Sequence, residues 1–396
     1  MMLCILGRQP ELGRAELAAL YGSTKMIGRE AALISCDSFD IQATGGTQKA
    51  GRLVLEIPHT NWPAVSRAIS EYYLPKWQAG DHKITLGISV YGKTHVRPRD
   101  VNNLSLSLKQ KLKKAGGSLR ALPSKELALN TAVSHHNKLG LNPHKIELLI
   151  VQNDGKTLVA ESTGAQNITA LAKRDQGRPK RDAFVGMLPP KLALMMLNMA
   201  VGEAASPQNE LVLDPFCGTG VILQEALLRD YNVYGSDLSD KMIDFTGANL
   251  EWLQTTHKTG GKLTALHQGD ATNATWQNAK NITAVVCETY LGQPFSATPS
   301  PAKLREVQGN CNAIISNFLK NIGAQVAPGT SFTIAVPAWR NLTTKYITRL
   351  PLVHHLADMG YEQTNQKPLL YYRDDQVVAR DILIFKKPIH KITATP

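Results

Sequence analysis

After Pro207 the chain alternates short apolar strand patterns with helical patterns, and few architectures accept that order. ELVLDPF, NVYGSDL, KLTALHQGD, ITAVVCETY and SFTIAVPAW have strand texture; TGVILQEALLRD, SDKMIDFTGANLEWLQ and PAKLREVQGNCNAIISNFLKNIG fall between them as helices. Strands separated by helices of this length pair in parallel through right-handed crossovers. Residues 206–396 are therefore expected to form a doubly wound α/β sheet. The tail segments LLYYR and QVVARDILIFKK suit an antiparallel hairpin at its edge.

The preceding half has another texture. MMLCILG and RLVLEIP have strand patterns, PELGRAELAALYG and WPAVSRAISEYYL helical ones, which outlines a small α+β unit over residues 1–80. A second unit, residues 81–176, opens with the strand pattern KITLGISVYG. An amphipathic helix follows, with Leu104, Leu108 and Leu112 on one side, Lys109, Lys111, Lys113 and Lys114 largely on the other, and Gly116 and Gly117 at its end. ELALNTAVSHHNKLG is expected to be helical, and KIELLIVQNDGKTLVAES to form a hairpin about Asp154 and Gly155. Residues 177–205 link this unit to the sheet, starting near Gly177 and containing an apolar helix from Lys191 to Gly202.

Charge is distributed unevenly along the chain. The net charge is +12, and between Lys76 and Lys191 there are 20 Lys or Arg against 8 Asp or Glu, so the remainder balances. Such a segment is what a docking surface for a polyanion requires, although solvated lysines serving solubility have the same composition. At 43% hydrophobic and 19% charged residues the chain has the makeup of a globular protein. Its apolar runs are too short for a membrane span, and its opening residues lack a signal-peptide pattern, so a cytoplasmic protein is expected. Five cysteines without a CxxC pair argue against a disulfide framework and a zinc site.

The chemistry concentrates at DPFCGTG, Asp214 to Gly220, which ends one strand and opens a helix. Gly218 and Gly220 allow a sharp turn and close approach of a ligand, and Asp214 places a carboxylate at the strand's carboxyl end, with Pro215 and Cys217 in the same turn. Asp237 ends the next strand, where an acid takes the hydroxyls of a ribose; Asp270, in HQGDAT, ends the third, where an adenine amino group can be held. A nicotinamide cofactor fits this pattern less well. The third glycine of GxGxxG is missing, and Asp214 would repel a pyrophosphate but attract a methionine ammonium group.

DPFCGTG, YGSDLSDKM and GDAT, with RDQGRPKRDAFVGMLPPKLALMMLNMA upstream, resemble the THUMP-containing tRNA guanosine-N2-methyltransferases. The resemblance spans nearly the whole chain, strongest from Arg174 to Asp270 and by pattern alone from Met1 to Ala170. It implies a Rossmann-like class I methyltransferase sheet preceded by a smaller α+β region, ferredoxin-like and then THUMP-like, that grips tRNA. It further implies S-adenosylmethionine as cofactor, bound by Asp214, Pro215, Cys217, Gly218, Gly220, Asp237 and Asp270. RNA contacts are expected at Lys109, Lys111, Lys113 and Lys114, and in the connector at Arg174, Arg178, Lys180 and Arg181.

The family's catalytic motif, Asp or Asn followed by two prolines and an aromatic, corresponds here to Glu288, Thr289, Tyr290 and Leu291 in CETYLGQP, without the prolines. Glu288 is expected to accept a proton from an exocyclic amine, and Tyr290 to stack on an extruded base. An RNA-binding protein that has lost turnover, or a ribosomal RNA methyltransferase of the same fold, would share most of these features. His135 and His136 are adjacent on a predicted helix and cannot share a metal. Cys287, inside an apolar strand, is expected to be inert packing. Trp339 and Arg340, after the fifth strand, are candidates for touching RNA.

Overall fold

The computed structural model describes residues 1–78, 82–182, 187–365 and 367–389. The expected boundary at residues 80/81, and residues 183–186 of the connector segment, lie outside them. The chain divides into two compact units, residues 1–171 and 172–396.

The first unit is built on one eight-stranded sheet. Its strands are β1 (Met2–Leu6), β2 (Thr24–Ile27), β3 (Ala31–Ile34), β4 (Thr47–Ile57), β5 (Ile84–Gly92), β6 (Leu119–Ala121), β7 (Lys145–Asn153) and β8 (Lys156–Ala165), in the order β2-β3-β1-β4-β8-β7-β5-β6. The antiparallel β4–β8 pairing runs from Lys49 opposite Ala165 to Ile57 opposite Thr157, so the segments on either side of residue 80 share one sheet. The β7–β8 hairpin turns at Asp154 and Gly155, both at positive φ (47° and 76°), the left-handed pair a two-residue turn of this kind demands.

Helix α1 (Pro10–Tyr21) buries Leu17 against β1 and β3, while α2 (Trp62–Gln78) and α3 (Pro98–Lys114) cover β5 and β7 with Val65, Ile69, Leu104, Leu108 and Leu112. The lysines expected on the far side of α3, Lys109, Lys111, Lys113 and Lys114, are all exposed. Helix α4 covers only Thr131–His136, less than ELALNTAVSHHNKLG suggests. The residues before it bond to β5 instead: Val90 donates to the Leu127 carbonyl at 2.9 Å and Leu129 to Ser89 Oγ at 3.0 Å.

Helix α5 (Ile168–Gln176), for which the sequence offered no expectation, precedes the connector, and the connector contributes α6 (Pro190–Val201). The second unit then forms β9 (Leu211–Asp214), α7 (Val221–Leu227), β10 (Asn232–Asp237), α8 (Asp240–Thr256), β11 (Leu263–Gln268), β12 (Ala284–Glu288), α9 (Pro301–Gln325), β13 (Ser331–Arg340), β14 (Ile347–Arg349), β15 (Glu362–Gln363), β16 (Leu370–Tyr371) and β17 (Val378–Lys386). The main path is β11-β10-β9-β12-β13-β17-β15. The first five of these are parallel, as the alternation requires. β17 is antiparallel to β13, but it lies inside the sheet between β13 and β15 rather than at an edge.

Strand order reverses between β9 and β12, and a doubly wound sheet opens a crevice at the carboxyl ends of the strands flanking such a point. Asp214 ends β9 and Glu288 ends β12. Beneath them lies an apolar core in which Phe318, Leu319 and Ile322 of α9 pack against Phe332 and Ile334 of β13.

Candidate active site

The turn after β9 is held by its neighbours. Gly218 and Gly220 take φ of 51° and 79°, and Gly220 begins α7. Cys217 N donates to the Ser236 carbonyl at 3.0 Å, which fastens the turn to β10. Thr246 Oγ1 donates to the Gly218 carbonyl at 2.8 Å, and Asn249 Nδ2 to that of Thr219 at 2.9 Å. Thr246 and Asn249 are fully buried on α8. They were not among the expected site residues. Their signal was available: two polar side chains three apart inside an apolar helical stripe.

Asp237 completes the turn. Its Oδ2 accepts from Gly218 N and its Oδ1 from Ser239 N, both at 2.9 Å, so the carboxylate sits against the glycine turn. Asp270, next along the edge, accepts through Oδ1 from Thr272 N at 2.9 Å and Thr272 Oγ1 at 2.8 Å. Oδ2 takes no part in that turn. A Cβ on Gly218 would meet nothing nearer than the Phe216 carbonyl oxygen at 3.9 Å, so this side of the turn is open.

Asp214 is 2% exposed, and its Oδ1 accepts from Phe216 N at 3.1 Å. Burial holds its carboxyl well above the ordinary carboxylate range; the Phe216 bond opposes this, and the charges of Asp237 and Glu288 add to it. An acid easier to protonate when folded loses stability as pH climbs from its unfolded value toward its folded one. Asp214→Asn is thus expected to raise the thermal midpoint by an amount that grows from acidic toward neutral pH. Melting curves at both ends check this, and a pH-independent difference would contradict it.

Glu288 is mostly covered and forms an ion pair with Arg380 of β17. Burial raises its carboxyl above the ordinary range, and the Arg380 charge and hydrogen bond offset only part of that rise. Thr289 stands where the resembled motif has its first proline. Its N–H, which proline lacks, donates to the Ala335 carbonyl at 3.0 Å, and its Oγ1 to the same oxygen at 2.9 Å. The β12–β13 pairing thus runs one residue further before the chain turns at Gly292 (φ 80°). Tyr290, beyond the anchor, is 42% exposed. Cys217 and Cys287 are buried thiols pushed well above their ordinary range by that burial, so neither is a ready nucleophile.

Several residues expected to contact RNA have partners within the protein. Arg174 binds Glu225 through two bonds, Nε to Oε1 at 2.8 Å and Nη2 to Oε2 at 3.2 Å, and these side chains are 13% and 3% exposed. Arg178 is buried and donates to Asp175 Oδ1 at 3.0 Å. Both arginines are committed to the protein interior. Arg174→Ala is expected to cost about 3–5 kcal/mol of stability by stranding Glu225, measured by urea unfolding, with the salt dependence of RNA binding unchanged. Lys180 and Arg181 are exposed.

Trp339 and Arg340 are likewise turned into the protein. Trp339 is 2% exposed, and Arg340 Nη1 donates to the carbonyls of Arg373 at 2.8 Å and Gln376 at 3.1 Å, with its guanidinium 3.9 Å from the Tyr372 ring centre. Arg340 thereby clamps the loop before β17. Sequence reasoning also missed a buried ion pair in the first unit, Lys49 Nζ to Glu147 Oε1 at 2.5 Å, closed by the Leu129 carbonyl and Ser89. Lone charged residues inside strand patterns gave no pairing signal. Among the described residues, no group of three or more His, Cys, Asp or Glu is placed to hold a metal ion, and no helix is long and apolar enough to cross a membrane.

A parallel sheet reversing at β9 and β12, with an antiparallel strand inserted beside β13, is the Rossmann-like α/β fold of methyltransferase structures. TrmN from Thermus thermophilus aligns over 98% of this chain and 99% of its own, with a TM-score of 0.53 at 15% identity. A possible methylase from Clostridium difficile 630 aligns over 100% and 99%, with a TM-score of 0.52 at 13% identity. By sequence, 79 residues are 40% identical to the tRNA (guanine(10)-N2)-dimethyltransferase of Methanothermobacter thermautotrophicus, covering 19% of this chain and 22% of that protein. The dimethyltransferase of the same name from Pyrococcus abyssi is 36% identical over 85 residues, 22% of each. The chain thus spans about a fifth of the length of these curated relatives. No protein-family model matches it.

Proposed function

We propose that this chain is a cytoplasmic S-adenosylmethionine-dependent RNA methyltransferase acting on the exocyclic 2-amino group of a guanosine in tRNA. The observation that carries the reading is the placement of the DPFCGTG turn and Asp237 beside Glu288 at one switch point of the sheet. The donor set fits the cofactor. Asp214 lies at the turn for an ammonium group, Asp237 for a ribose diol and Asp270 for an adenine amine, while the open side of Gly218 lets a ligand reach the backbone. Pro215 and Cys217, both buried, shape the turn from within. When bound, S-adenosylmethionine supplies a methyl group on a positively charged sulfur that leaves as a neutral thioether.

The protein's part is to orient the amine and receive the proton it sheds. Glu288 is the acceptor at the crevice, and exposed Tyr290 offers a ring for a base that has left its stack. The partly matching dimethyltransferases support guanine N2 in tRNA as the target. The first unit is assigned to RNA docking, as a ferredoxin-like segment followed by a THUMP-like one. The exposed lysines of α3 would contact phosphates, with Lys180 and Arg181 of the connector assisting. Changing Lys109, Lys111, Lys113 and Lys114 together to Glu is expected to weaken tRNA binding and flatten its salt dependence. A filter-binding series over salt concentration measures both.

A second reading, a methyltransferase-fold RNA-binding protein without turnover, is favoured by Thr289 in place of the first proline of the resembled motif. Mass spectrometry of nucleosides from cellular tRNA, with and without the protein, separates the two. Loss of an N2-methylated guanosine supports the enzyme; an unchanged profile supports the binder.

A further inference from the structure

The carboxylate of Glu288 is engaged by a residue two strands away. β17 pairs with β13 and not with β12, and the register sets Glu288 opposite Ala335 and Ala335 opposite Ile382. Arg380 lies two residues before Ile382 and therefore on the same face of the sheet. Arg380 stands opposite Pro337 on β13 and Ala335 carries only a methyl group, so the side chain reaches across that strand, and Arg380 Nε donates to Glu288 Oε1. The two side chains are 11% and 16% exposed. Asp381, on the opposite face, pairs with Arg349 at 2.5 Å, so β17 turns one charge to each side.

The other groups near Glu288 do not replace that cation. Asp214 on β9 is a buried acid, Cys287 is a buried thiol on the same strand, and Tyr290 is exposed beyond Thr289. β13 presents Ala335 at this register. Helix α6, which packs on β12, β13 and β17, carries Lys191 as its one titratable residue. Without Arg380, Glu288 would be a covered acid close to Asp214, and burial would favour its neutral form. A neutral carboxyl cannot accept a proton.

We propose that Arg380 is a positioning residue for the transfer step, keeping Glu288 a carboxylate and fixing its orientation toward the incoming amine. The proposal rests on the enzymatic reading above. The proton shed by the amine on methylation passes to Glu288 and then to water, while the guanidinium stays protonated throughout. Arg380 acts only through Glu288, and this separates it from a merely structural contact.

The test follows the Glu288 carboxyl by carbon-13 NMR in glutamate-labelled protein, assigned by its loss in Glu288→Gln, in the wild type, Arg380→Gln and Arg380→Lys. The Glu288 titration midpoint is expected to move upward in Arg380→Gln and to return toward the wild-type value in Arg380→Lys. The acidic limb of kcat should move with it, with kcat near neutral pH down about tenfold and KM for tRNA within about twofold. Cofactor binding by calorimetry, held near the wild-type value, shows that the variants are folded. In a Glu288→Gln background, Arg380→Gln should add little. A Glu288 midpoint indifferent to Arg380 in an active wild type would overturn the proposal alone. An inactive wild type whose midpoint follows Arg380 would overturn the enzymatic reading alone.

Discussion

Glu288→Gln is expected to lower kcat for tRNA methylation by about 10²–10⁴-fold while leaving cofactor affinity nearly unchanged. Glutamine keeps the length and shape of the side chain and one acceptor oxygen for Arg380, but it is far too weak a base to take the amine proton. The defect should therefore appear in kcat, with KM for tRNA little affected. Single-turnover assays with saturating tRNA measure it directly. Wild-type turnover in the variant would mean that the proton leaves by another route and that Glu288 only finishes a strand.

Asp237→Ala is expected to remove the most affinity for S-adenosylmethionine. The carboxylate holds Gly218 and Ser239 by their amides, and in the proposed function it also receives two ribose hydroxyls. Two charge-assisted bonds at about 1.5–3 kcal/mol each correspond to about a hundredfold to ten-thousandfold weaker binding. Calorimetry against the wild type reads this, and circular dichroism verifies that the sheet persists. Affinity within threefold of the wild type would exclude Asp237 from the cofactor site, and tight binding of a nicotinamide dinucleotide would overturn the class of ligand altogether.

Much of the second unit was legible before any coordinates, because its signals are local. Glycines at positions that need positive φ, acids closing apolar runs and strands alternating with helices are each encoded within a few residues, and β9, β10, β11, β12 and β13 all appear where those patterns put them. The connector was less legible. Its arginines have the composition of a phosphate-binding stretch, yet Arg174 and Arg178 are consumed by Glu225 and Asp175. Arg174 and Glu225 are 51 residues apart in sequence, so charge counting could not tell an internal partner from an external one.

By itself, the sequence determined the kinds of element, their parallel pairing, and the strand ends at which Asp214, Asp237, Asp270 and Glu288 collect, since backbone geometry and side-chain periodicity act over short distances. Only the tertiary structure decided what those groups touch. It brought Arg380 across β13 to Glu288, set Thr246 and Asn249 under the glycine turn, and turned Arg340 onto its own loop. The reason is physical: covered charges and polar groups must find partners, and the partner is whichever residue the register of distant strands and the packing of helices bring within reach.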